Sequence, residues 1–235
     1  MRKIQLKQVL RNKRFVLFTI ILPIGWYIFF YHLQKGVSPS ILLGIAVFIG
    51  VIGNSLATFS KRIASDIGFY SFESRFTSYS VKNYLWDQSI VQLIMNSLIF
   101  LAVLVVAVLG FHFPVTTSLL VQFFLLSLMG IYFSVIGFVL GVRVDAKTID
   151  TIGFPVIILA AMTIIPFDTL GASGGFMDLV GKLQRVFPGY YYTKLIQDLT
   201  EKQTIDVTQL ALFVAVFGVN LLFFYLLVPK GKIGN

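Results

Sequence analysis

Cysteine is absent from the 235 residues, which excludes a disulfide framework, a thiol nucleophile and a thiolate metal site, and leaves the redox compartment unmarked. Acidic residues are few, ten against nineteen Lys and Arg. Charged residues of both signs make up only 12% of the chain and 57% is hydrophobic, whereas a soluble domain carries about a quarter charged residues. That deficit, with a mean hydropathy of +0.87, marks an integral membrane protein. Spans and their connections take up nearly every residue, so one membrane domain over residues 1–235 is expected, with no room for a soluble catalytic domain.

Histidine is scarce too. His32 and His112 fall at expected outer ends of spans, so neither a His-Glu zinc cluster nor a Ser-His pairing can be argued. The apolar runs hold almost no ionisable groups. Their polar residues are Asn54, Gln92, Asn96, Gln122 and Asn220 with scattered Ser and Thr, and Asp87 lies at an inner edge. Ion-coupled transport and intramembrane aspartyl proteolysis both need acids or bases at depth, and neither fits. No nucleotide-binding P-loop is present. The nearest match, Gly181-Lys182-Leu183, has Leu where the metal-binding hydroxyl belongs and Phe176 where the first Gly belongs. The chain is therefore not expected to be an enzyme or to hold a metal or cofactor, and energy for uphill transport would enter through a partner. The net charge of +9 would suit nucleic acid, but its placement does not. Arg2, Lys3, Lys7, Arg11, Lys13 and Arg14 precede the first apolar run, where they set orientation and meet anionic headgroups.

What is present is a series of long apolar runs. Crossing about 30 Å of hydrocarbon takes about 20 apolar residues, and Phe15–Leu33, Ser40–Ser60, Ser89–Phe111, Ser118–Val142 and Val207–Val228 suffice. Thr151–Phe167, with Pro155 and Pro166, sits at the lower limit. Phe15–Leu33 is too long for a signal-peptide core and no cleavage site follows it, so it is read as a retained span. Six spans put both termini on one side. That side also receives Lys61, Arg62, Arg75, Lys82, Arg143, Lys147, Lys230 and Lys232, while the other receives only Lys35, Lys182, Arg185, Lys194 and Lys202. The bias makes both termini cytoplasmic. Residues 1–14 fit a helix along the inner interface or a solvated basic tail.

Two connections depart from simple turns. Outside, residues 168–206 start Gly-rich, carry two periodic segments and break at Pro188-Gly189. A Pro-Gly pair between periodic segments is a turn signal, so two short helices are expected to dip into the outer leaflet against protein. Inside, Lys61–Asp87 interrupts two spans with a mixed-charge, aromatic-rich insert. Ile67, Phe69, Tyr70, Phe72 and Phe76 alternate there with Asp66, Glu73 and Arg75. Such knobs suit a helix laid in a partner's groove; the plainer alternative is an interfacial helix with its aromatics at the headgroups.

This layout resembles the permease subunits of type-2 ATP-binding-cassette exporters over essentially the whole chain. Residues 78–85, S-Y-S-V-K-N-Y-L, resemble the family's P-[VL]-S-[RK]-x-x-[YW]-L segment without its Pro, and Phe187-Pro188-Gly189-Tyr190-Tyr191 resembles its P-x-x-[YH] turn. The family's E-R-x-x-G-T is not matched, since Asp66-Ile67-Gly68 lacks the Arg and the Thr. The resemblance implies an all-α fold of six spans, with a cytoplasmic coupling helix between spans two and three and an outer re-entrant hairpin before span six. It implies that Asp66, Ile67, Phe69, Tyr70, Phe72, Glu73, Arg75 and Phe76 dock an ATPase subunit, in two copies, holding ATP and Mg. It implies an outer gate at Phe187, Pro188, Gly189, Tyr190 and Tyr191, a second permease copy or paralogue, and a cell-membrane location. Asn54, Gln92, Asn96, Gln122 and Asn220 would line the pathway, which suits amphipathic or lipid-like cargo. The alternatives are a scaffold that recruits a soluble partner without transport, and a secondary transporter, weakened by the bare spans.

Overall fold

The computed structural model describes residues 16–33, 36–73, 81–165, 167, 174–201 and 204–227; the basic segment 1–14 lies outside them. Every regular element among the described residues is helical. Lipid enforces this, because a backbone N–H or C=O there must find its partner within its own segment. Four helical stretches are long and apolar enough to cross a membrane: Pro39–Asp66, Asp87–Phe111, Ser118–Arg143 and Val207–Leu226. The chain is an all-α membrane protein. The first expected span is represented by a shorter apolar helix, Thr19–Leu33, built from a π-helical turn Leu17–Ile21 and α1 (Leu22–Leu33).

Helix α2 (Pro39–Ile52) opens with Ser38 as cap, its hydroxyl accepting from the Ser40 N–H, and with Pro39 in the first turn, where a missing N–H costs nothing. A π-helical turn, Gly53–Phe59, then leads straight into α3 (Ser60–Glu73). Lys61–Asp87, expected as a separate insert, is thus divided differently. Its first half prolongs the second span as one rod, and Val81–Asp87 forms the first turns of α4 (Val81–Phe111). Nothing between Ser60 and Ile67 is a helix breaker, so the rod has no local reason to stop at the edge of the apolar run.

Helix α5 (Ser118–Arg143) lies against this rod through small residues. A Cβ at Gly141 would stand 2.5 Å from the Ser60 carbonyl oxygen and 2.6 Å from Ile63 Cβ, and one at Gly137 would run into the Ser55 carbonyl. Together with Ser134, which meets Ser55, these positions let two backbones approach, the packing that replaces the hydrophobic effect between helices in lipid. At its C-terminal end Arg143 donates through Nε and Nη2 to the Leu227 carbonyl at 2.8 and 2.6 Å, satisfying the end of α9 (Val207–Leu226).

Helix α6 (Ala146–Met162) begins five residues before the expected Thr151. Asp145 caps it, accepting from the N–H groups of Lys147 and Thr148 at 3.0 Å and from the Thr148 hydroxyl at 2.7 Å. That hydroxyl bond, with the backbone bonds, holds the Asp145 carboxyl below the usual range. At 17 residues α6 is about 25 Å long, short of the hydrocarbon thickness. Helices α7 (Gly175–Gln184) and α8 (Pro188–Glu201) precede α9. The centre of the bundle is the Pro39–Asp66 stretch, whose apolar part is 78% buried, while that of α9, at 6%, lies almost wholly uncovered.

Candidate functional site

The five polar residues expected to line a pathway fall into two sets. In the first set, Asn54 sits in the π-helical turn and donates to Asn96 Oδ1 at 3.2 Å, and Gln92 Nε2 donates to the Ser55 hydroxyl at 3.1 Å. Ser55 meets Ser134 of α5 at 3.5 Å, and Ser134 donates to the Gly130 carbonyl at 2.7 Å. A π turn holds one more residue than the α-helix it interrupts, and here it swings Asn54 and Ser55 side by side toward α4. Gln88, Gln92 and Asn96 follow at spacings of four on one face of α4, all nine-tenths or more buried. Gln88 Oε1, Gln92 Oε1 and Asn96 Nδ2 are buried without a hydrogen-bond partner. The result is a polar seam through a bilayer-crossing bundle.

The second set surrounds α8. Gln122 Nε2 donates to the Ser40 carbonyl at 2.8 Å and lies 3.5 Å from the Tyr192 hydroxyl; Gly44 keeps α2 close enough for Tyr192 to reach it, since a Cβ there would stand 2.8 Å from that hydroxyl. Asn220 accepts from the Tyr132 hydroxyl at 3.3 Å and donates to the Val186 carbonyl at 3.0 Å. That last bond fixes the depth of the turn joining α7 to α8. Asn220 lies thirteen residues into α9, about 20 Å along it, and Tyr132 lies fourteen into α5, about 21 Å. The turn therefore reaches the middle of the bundle.

The α7–α8 hairpin also completes the end of α6. Gln184 Nε2 donates to the carbonyls of Met162 and Ile165 at 2.6 and 2.8 Å, and the Thr193 hydroxyl donates to the Ile164 carbonyl at 3.0 Å. These are carbonyls that a helix end leaves unpartnered. Pro188 and Gly189, expected as the break between two segments, lie inside the first turn of α8, both buried; the turn itself is Arg185–Phe187. Proline at the start of a helix explains the offset. Gly189 is required there because a Cβ would meet Ile164 Cγ1 and lie 3.0 Å from the Thr163 carbonyl. Phe187 is half-buried, and Tyr190 and Tyr191 pack edge to face at 5.3 Å. A narrow cavity of about 10 Å³, room for about one water, opens between Ile41, Ile45 and Phe48 of α2 and Ile164, Tyr192 and Ile196.

The residues expected to dock a partner are described only in part. Asp66 lies half-buried on α3. Ile67, Phe69, Tyr70, Phe72 and Glu73 continue its helical backbone, their side chains outside the description, and Arg75 and Phe76 lie outside the described residues. Nearby, Lys61 Nζ meets Asp150 of α6 at 2.7 Å; with both side chains about half exposed, the pair contributes little. Ser55, Ser134, Gln184, Tyr192 and Thr193 were not foreseen. Gln88 was not foreseen either, and it alone left a periodic signal, at helical spacing with Gln92 and Asn96 on one face of α4. Among the described residues no three His, Asp or Glu side chains converge to hold a metal. No protein-family model, curated protein or solved structure matches the chain.

Proposed function

We propose that this chain is the membrane subunit of an ATP-driven exporter of the type-2 ATP-binding-cassette kind, embedded in the cell membrane with both termini in the cytoplasm. Six spans are counted by taking the Thr19–Leu33 helix as the first and α6 as the fifth, with residues 1–14 along the inner interface. The observation that carries the reading is the Arg185–Phe187 turn beside Asn220. A hairpin whose tip lies mid-bundle and whose side chains cap the shortest span suits an outer gate, and a non-helical backbone at that depth requires protein around it. On the opposite side, the second span runs without a break into α3, so a push there would move the span as a rigid body.

In this reading two ATPase subunits bearing ATP and Mg dock beneath the α3 segments of two permease copies, or of this chain and a paralogue. Ile67, Phe69, Tyr70, Phe72 and Phe76 are the anchors, and Asp66, Glu73 and Arg75 the rim. Nucleotide closes the ATPase pair, and α3 carries that motion to the seam and the hairpin. Replacing Phe69 and Tyr70 together by Asp abolishes co-purification of the ATPase while the permease still folds. Retained co-purification removes docking from the reading, and a gently solubilised assembly free of any nucleotide-binding subunit favours a non-transporting scaffold.

A further inference from the structure

Arg185 stands in the turn whose neighbouring carbonyl, Val186 O, is held by Asn220 halfway through the bundle. It is exposed there, and among the described residues it takes part in no ion pair. Its recorded contact is the Tyr190 ring, 5.9 Å from the guanidinium carbon. Lys194, one turn further along α8, approaches the same ring, also at 5.9 Å. A guanidinium at this depth is costly in bare hydrocarbon and is retained where it meets water or an anion. Beside it the exposed side of α7 divides in two. Lys182 and Arg185 form a basic edge, and Leu179, Leu183 and Val186, each about three-fifths exposed (63%, 62% and 58%), form an apolar ridge next to it. Positive charge and apolar surface side by side, at the level of lipid tails, match one class of molecule: an anionic amphiphile.

We infer that the hairpin tip is a recognition site for an anionic lipid with a phosphate-monoester headgroup. Arg185 takes the phosphate through its paired N–H groups, Lys194 adds a second charge across the Tyr190 ring, and Leu179, Leu183 and Val186 carry the tails. Guanidinium is the group for this work because its planar fork meets phosphate oxygens two at a time. The site deepens the exporter reading, on which it rests for the hairpin's place in the membrane, by naming the class of cargo as lipid with a phosphate-monoester headgroup.

The test is retention of added lipid by the purified full chain, read by native mass spectrometry, with equal amounts of dioleoyl phosphatidic acid and dioleoyl phosphatidylcholine. The chain keeps phosphatidic acid in preference. Arg185→Ala lowers that retention by about tenfold or more, the range expected for a lost charge-assisted contact, and Lys147→Gln, an inner-side control, leaves it unchanged. Should Arg185→Ala not fold, the double variant Leu179→Gln/Leu183→Gln, altering only exposed side chains, carries the test through a severalfold loss. Equal retention of both lipids, or retention unchanged in either variant, overturns the site. Displacement by inorganic phosphate at the lipid's own concentration makes it a site for a free anion and overturns the lipid assignment. ATPase co-purification is read separately, so loss of the exporter reading and loss of this site are told apart.

Discussion

A single methyl group placed at Gly137 tests whether α5 and the α2–α3 rod are locked by backbone contact. At this position a Cβ meets the carbonyl oxygen of Ser55 and lies 3.0 Å from its carbon, and neither atom can rotate away as a side chain could. At Gly141 the nearest atom is again backbone, Ser60 O at 2.5 Å, with Ile63 Cβ at 2.6 Å. At Gly130 the obstacle is the Asn96 amide, a side-chain end that can turn at the expense of its bond to Asn54. At Gly141, widening 2.5 Å to an ordinary 3.4 Å moves the helices apart by about 0.9 Å, enough to part Ser55 from Ser134. Overpacking of this kind costs about 1–3 kcal/mol, offset by up to about 1 kcal/mol of helix propensity gained on Gly→Ala. Gly137→Ala therefore destabilises by about 1–2 kcal/mol, a fall in melting temperature of about 2–8 °C for a chain of this size. Gly141→Ala follows, and Gly130→Ala loses least. Gly218→Ala on α9 has nothing within 4 Å of the new carbon, so it is neutral or stabilising. The assay is thermal unfolding of the four purified variants in one detergent. Gly137→Ala melting with Gly218→Ala, or Gly130→Ala falling furthest, refutes the backbone-contact account.

Gln184→Ala strips the Met162 carbonyl at the end of α6 and the Ile165 carbonyl just beyond it of their common side-chain donor; it lowers stability by about 1–2 kcal/mol in the same melting assay, whereas Lys182→Ala, at an exposed position two residues away, leaves the melt unchanged. Asp145, whose carboxyl is held low by Thr148, stabilises the start of α6 in its ionised form. That contribution is complete above the ordinary carboxylate range and is lost as pH falls through the lowered value, so hydrogen exchange at the N–H groups of Lys147 and Thr148, corrected for intrinsic rates, speeds up only on acidification, and Asp145→Ala removes the dependence.

The long spans were legible because apolar length is a property of the residues themselves. Ser118–Val142 and Ser89–Phe111 sit within a residue or two of helix boundaries or apolar segments in the fold. Boundaries set by a side chain reaching across a turn were not. Asp145 starts α6 early because its carboxylate has N–H groups to cap, and Pro188 reads as a break in sequence yet opens a helix. The union of α2 with α3 escaped because the charges at Lys61 and Arg62 end the apolar run without ending the helix; the π turn Gly53–Phe59, inside the expected span, leaves no compositional mark. Asn54 and Asn96 could be singled out as polar residues within spans, but their partnership is forty-two residues apart and depends on that turn. Gln122 and Asn220 join the hairpin instead, through Tyr192 and Val186. Those pairings arise from close approach between elements, which no local pattern encodes.

The rod from Pro39 to Glu73 behaves as a lever. Its tightest crossing with α5, at Ser55 and Gly137, is the fulcrum. The arm on the Glu73 side has eighteen residues, about 27 Å, and the arm on the Pro39 side has sixteen, about 24 Å. A nudge of 1 Å at the Glu73 tip would thus swing the far end by about 0.9 Å the opposite way, where Ser40 and Gly44 touch Gln122 and Tyr192.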